Sequence, residues 1–187
     1  TRKCVLFILF LPLFLFCTLI ISYLKNFVKL PAGQVQIFST IGIAGSITGF
    51  FFYGYLFKKL KIKKLEFLVH FIFLTASLLL FGLNKNIPGF IWMIGIVYFL
   101  SSYAASTFLC NNSTEMLALA KPGNKPMAMA FQQTYMNIGV SIGRTGTALI
   151  LGANLLAPTW ELKGVTICNY QTLFLLYAVI AAVILIL

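Results

Sequence analysis

The sequence predicts an all-α integral membrane protein with six transmembrane helices. Three observations carry this reading. Of the 187 residues, 60% are apolar and only 9% are charged, whereas soluble domains hold roughly 45–50% and about 25%. Mean hydropathy is +0.98, and so small a polar remainder cannot coat a soluble core. The apolar residues also gather into six runs, each close to the ~20 residues that cross a bilayer core at 1.5 Å rise per residue. A water-soluble enzyme and an intrinsically disordered chain are both excluded.

The first run, 4–24, follows Arg2 and Lys3. Its apolar core is too long for a signal peptide and no small-residue cleavage site follows, so it reads as a retained helix. Pro12 within it frees one carbonyl and permits a kink. The second run, 34–57, holds Gly42, Gly45, Gly49 and Gly54. The four-residue spacing of Gly45 and Gly49 allows close helix approach. The third, 65–83, opens with Glu66 and His70, an i,i+4 pair suited to the water boundary. Beyond them, Thr75 and Ser77 are its side-chain hydrogen-bonding groups. The fourth, 89–110, carries Ser101, Ser102, Tyr103, Ser106 and Thr107. The fifth, 127–151, has Gly139, Gly143 and Gly146, and the sixth, 170–187, is slightly short. Strands are not expected, because barrel strands alternate over about ten residues and these runs do not.

The connections set the orientation. Lysines 58, 59, 61, 63 and 64 crowd the link between the second and third runs, read here as a very short turn. The N-terminus, this turn and the 111–126 loop hold nine basic residues, against four in the other loops (25–33, 84–88 and 152–169). The positive-inside bias then places both chain ends in the cytoplasm, with the plasma (inner) membrane as the expected site. The same placement explains a net charge of +11 without nucleic acid. Sequons starting at Asn111 and Asn112 fall on the cytoplasmic side and are discounted as glycosylation sites. A chain that starts at Thr1 and stops within an apolar run is expected to be a segment of a longer protein.

Catalytic chemistry has little to work with. His70 is the sole histidine, and there is no HExxH, no P-loop, no CxxC and no paired intramembrane carboxylate. Cys4, Cys17, Cys110 and Cys168 read as small apolar fillers. No enzyme activity, metal site or cofactor is expected.

One charge lies within a span: Arg144, in the middle of the fifth run. A central arginine costs at least about 2.5–3.5 kcal/mol on insertion scales, so it needs water, a partner or a polar interior. Gln133, Asn137, Ser141 and Arg144 follow steps of 4, 4 and 3 and share one helical stripe. Such a stripe suits an aqueous cavity for an anionic or hydroxyl-rich solute. The alternative is a structural arginine held by backbone carbonyls or an acid elsewhere. Tyr103 and Ser106, with Thr18 and Ser22 on the first run, are further cavity candidates, although helix carbonyls can satisfy such hydroxyls locally.

Together these residues resemble the C-terminal half of a major facilitator superfamily transporter. The stretch 54–64, Gly-Tyr-Leu-Phe-Lys-Lys-Leu-Lys-Ile-Lys-Lys, is similar to the family's Gly-x-Leu-x-Asp-Arg-x-Gly-Arg-Lys loop. Gly54, Leu56, Lys59 and Lys63 fit it, while Lys58 stands in place of the aspartate and Lys61 in place of the glycine. Glu115, Pro122 and Lys125 ahead of Met127 resemble the family's entry into its next-to-last span. The resemblance implies two inverted three-helix repeats and a missing N-terminal half as partner. It also implies alternating access for a small-molecule solute, by uniport or as an ion-coupled symporter. Gly54, Lys58, Lys59, Lys63, Lys64 and Glu115 would then line the cytoplasmic gate. A six-helix channel or membrane scaffold is the alternative, and a lipid-modifying enzyme would need clustered acids or histidines that are missing.

Overall fold

The structure, a computed structural model, describes residues 16–83, 87–153, 155–162 and 165–186. The remainder of the first run, with Cys4 and Pro12, lies outside them. The described residues form helix α1 (16–26), α2 (Ala32–Gly82), α3 (Phe90–Leu119) and α4 (Lys125–Gly152), then strands β1 (Thr159–Leu162) and β2 (Val165–Cys168), and helix α5 (Asn169–Ile186). Three of these helices (α2, α3 and α5) are long and apolar enough to cross a membrane.

The basic link expected at 58–64 is almost entirely helical, so the second and third runs merge into α2. The break is one residue, Lys61, with φ 60° and ψ 172°. The two arms run in opposite directions along α3. On the N-terminal arm Gly42, Gly45 and Gly49 meet Tyr98, Phe99 and Ser106 in rising order. On the C-terminal arm, Asn111 donates to the Ile62 carbonyl (3.4 Å) and His70 meets Phe108 edge-on at 6.0 Å, in falling order. Elsewhere, Gln132 donates to Ser113 and Asn112 to the Met136 sulfur, which sets α4 antiparallel to α3. Phe16 meets Phe174 and Tyr23 meets Tyr170, which sets α1 antiparallel to α5.

Lys61 occupies a backbone region that is essentially glycine's, at a cost of order 1–3 kcal/mol. Lys61→Gly is therefore expected to raise the thermal midpoint in lipid or detergent, by roughly 1 kcal/mol after the greater unfolded-state freedom of glycine is subtracted. A lowered midpoint would show that the turn carries no such strain.

The core lies where α1, the C-terminal arm of α2, α3 and α5 converge. Phe16 packs edge-on against Phe73, Phe174 and Tyr177, and Leu80, Ile94 and Ala181 are fully buried around them. Phe, Tyr and branched aliphatics supply most of this contact, each aromatic burying about 150–250 Å².

Three expectations need correction. The fourth helix runs to Leu119 rather than ending near 110, and polar residues past position 110 find partners that let it continue. Asn111 is buried against Ile62, and Tyr53 donates to Thr114, which donates to the Cys110 carbonyl (both 2.8 Å). Glu115 thus rides on a helix, not in a loop. His70 is 1% exposed, not at the water boundary. Its Nδ1 donates to the Glu66 carbonyl at 2.7 Å, so the ring is held by its own helix. Finally, the long connection after α4 folds into an antiparallel hairpin with Thr159 opposite Cys168 and Leu162 opposite Val165.

That hairpin is anchored by residues the sequence reading overlooked. Trp160 Nε1 donates to Thr172 (2.9 Å), and Gln171 accepts from the Cys168 amide (3.0 Å). The Gln171 amide then donates to the Phe81 and Leu83 carbonyls at 3.1 and 3.0 Å. Carbonyls at the C-terminal end of a helix lack intrahelical donors, and Gln171 supplies them while tying α5 to the end of α2.

Candidate substrate face

Helix α4 differs from its neighbours. The other long helices have no single polar side, whereas α4 sorts its residues into sectors. At 100° per residue, its buried residues Gln132, Met136 and Gly139 form one sector. Phe131, Ile138, Ile142 and Leu149 are exposed large apolar side chains in a second. Gln133, Asn137, Ser141 and Arg144, all exposed, form the third. The sector centres are spaced roughly 120° apart. A helix with one packed face, one apolar outer face and one polar outer face has three distinct surroundings to satisfy. The polar face also explains why α4, although about 42 Å long at 1.5 Å per residue, does not count as a span by apolarity.

Among the described residues, no hydrogen bond or ion pair reaches Arg144. The structural reading, an arginine held by carbonyls or by an acid, therefore finds no partner there. Gln133 and Asn137 are joined directly, Nε2 to Oδ1 at 3.3 Å. Ser141 lies exposed one turn before Arg144. Thr147, further along, meets the Tyr177 hydroxyl at 3.3 Å and fastens the end of α4 to α5.

The other candidates are distributed more widely. Ser106 is buried and donates to the Tyr103 carbonyl at 3.0 Å, so its hydroxyl is satisfied within α3. Tyr103 is half-buried. On α1, Thr18 is exposed and Ser22 half-buried, and among the described residues no hydrogen bond links them to the α4 stripe. Gly54, Lys58, Lys59, Lys63 and Lys64 are exposed around the α2 reversal, and Glu115 is half-buried on α3. No group of three or more potential metal-ligating side chains occurs among the described residues.

Gln132 was missed by the sequence reading, which chose its neighbour Gln133. It is 4% exposed and points to Ser113 and to the Met136 sulfur at 3.8 Å. The i,i+4 pairing with buried Met136 is the signal that separates the two glutamines.

This chain matches no family model, no curated protein and no solved structure.

Proposed function

We propose that this chain is a six-helix half of a secondary transporter of the major facilitator type, and that it carries a small polar solute across the membrane by alternating access. The observation that carries the reading is the polar sector of α4, with a guanidinium at Arg144 that no described residue pairs with, beside an apolar sector fit for acyl chains. A charge left open on a membrane helix faces water or a polar partner, because hydrocarbon would cost it several kcal/mol (about 2.5–3.5 on the mildest scale).

The alternating directions of the helical segments support six spans, with the two arms of α2 each crossing once. In this arrangement α1 and α3 line the cavity, the N-terminal arm of α2 and α4 flank it, and the C-terminal arm of α2 and α5 lie outside. A second six-helix half covers the polar sector and leaves a water-filled path at mid-depth. The reversal at Lys61 and Glu115 lie on the cytoplasmic rim of the plasma membrane, where Glu115 can pair with different lysines in the two states and so bias their equilibrium. The spans hold no interior carboxylate, which leaves uniport, or an ion site in the other half.

A channel is the second reading. It calls for backbone carbonyls or a charged ring aimed at an ion. Among the described residues, the one irregular connection long enough for this spends its backbone in the β1–β2 ladder, which favours the carrier.

Single cysteines placed on α4 in a background lacking native cysteines test the proposal. Asn137→Cys and Ser141→Cys are expected to react with a membrane-impermeant thiol reagent, and Ile138→Cys and Ile142→Cys at least tenfold more slowly. Equal protection at all four positions would place the polar sector in lipid or in dry protein and remove the cavity.

A further inference from the structure

The reversal of α2 also borders a groove. Leu60, Lys63, Lys64, Phe67, Leu68 and Phe71 line a shallow groove of about 480 Å³. Lys63, Lys64, Phe67, Leu68 and Phe71 fall at i, i+1, i+4, i+5 and i+8 of the C-terminal arm, which puts these five on one side of it, and Leu60 joins them from across the break at Lys61. Phe67 and Phe71 are 57% and 52% exposed. The groove is thus apolar over its length and cationic at the end nearest Lys61. From Lys63 to Phe71 the helix rises about 12 Å, so the charged end sits at a membrane boundary when the aromatic end lies among acyl chains.

We infer that this groove is a binding site for one anionic phospholipid, its phosphate held between Lys63 and Lys64 and an acyl chain laid over Phe67, Leu68 and Phe71. Charge complementarity selects the occupant. Five lysines crowd the reversal, and Glu66 and Glu115 are the acids near it, so the net charge there is positive even if both acids are paired. Lysine is a compact point charge that binds phosphate without the geometric demands of arginine. Its long stem can lie on the apolar wall while the ammonium reaches the headgroup layer. A protein partner would have to replace lipid along a helix face that is apolar up to the boundary, whereas a phospholipid matches both halves of the groove at once. The inference rests on membrane insertion and not on transport, so it survives a failure of the carrier reading.

The test uses the full chain purified in phosphatidylcholine nanodiscs containing one-fifth phosphatidylglycerol, with retained lipid counted by native mass spectrometry after release. Wild type is expected to retain one phosphatidylglycerol in preference to phosphatidylcholine. Lys63→Gln with Lys64→Gln is expected to lower that retention at least fivefold, and Phe67→Ser with Phe71→Ser at least threefold. Lys58→Gln with Lys59→Gln, which removes the same charge off the groove, is expected to change it less than twofold. Helical content by circular dichroism checks that each variant is folded. Equal losses from both lysine pairs would mean diffuse attraction and overturn the site. Displacement by millimolar glycerol 3-phosphate would also overturn it, since a free phosphate cannot use the apolar wall.

Discussion

Gly49→Ala is expected to lower the thermal midpoint of the protein, and Gly33→Ala to leave it unchanged or raise it. The two substitutions are identical in chemistry and both lie in α2. Alanine in a helix is ordinarily better than glycine by roughly 0.5–1 kcal/mol, because glycine loses more freedom on folding. At Gly33 nothing lies within 4 Å of an added Cβ, so this gain stands alone. At Gly49 the added Cβ runs into the Tyr103 carbonyl oxygen and the Ser106 hydroxyl. A serine can rotate, but a helix carbonyl moves only if α3 moves. Overpacking of this kind costs about 1–3 kcal/mol and sometimes more, which exceeds the propensity gain and sets the sign. Gly45→Ala meets the Phe99 carbonyl oxygen in the same way. The measurement is thermal unfolding in detergent, followed by tryptophan fluorescence or by loss of monodispersity. A rise at Gly49 equal to that at Gly33 would mean that α2 and α3 do not touch through their glycines.

Arg144→Ala is expected to leave the fold intact and to weaken solute binding strongly. Stability is the first half of the contrast. No described residue pairs with this guanidinium, and substitutions away from partners usually stay within about 0.5 kcal/mol. Binding is the second half. A hydrogen bond to a charged group contributes roughly 1.5–3 kcal/mol, so affinity should fall about ten- to more than a hundredfold. Arg144→Lys should recover part of it, because lysine keeps the charge but loses the planar fork. The experiment screens small carboxylates, phosphates and sugars against the wild type by thermal shift. The compound that shifts it most is then titrated against both variants. A destabilised Arg144→Ala that still binds at wild-type affinity would make the residue structural and leave the polar sector without a role in transport.

The two predictions differ in how far each could be read from residues alone. The glycine spacing in α2 permits close packing of any helix, and nothing in it names the partner or the atoms that meet. Gly54 shows the limit: it continues the glycine series, yet nothing lies within 4 Å of the Cβ it lacks. The stripe of Gln133, Asn137, Ser141 and Arg144 was legible in full, because a regular 3.6-residue period maps spacing directly onto a face. His70 shows the opposite case. A histidine near a helix start reads as a boundary residue, but Phe108 from α3 closes over it and a carbonyl of its own helix accepts its hydrogen bond.

Composition and hydrophobic run length by themselves determined that this is a helical protein suited to a membrane, since apolarity and helix length are local sums that need no knowledge of neighbours. They also marked α4 as the helix with a polar side. Tertiary structure alone decided that Asn111 and Thr114 continue α3 instead of ending it, that Gln171 ties the hairpin to the end of α2, and which face of α4 stays open. Each of those outcomes depends on a donor, acceptor or ring supplied by a residue distant in sequence, and a polar side chain ends a helix or extends it according to whether such a partner is there to meet it.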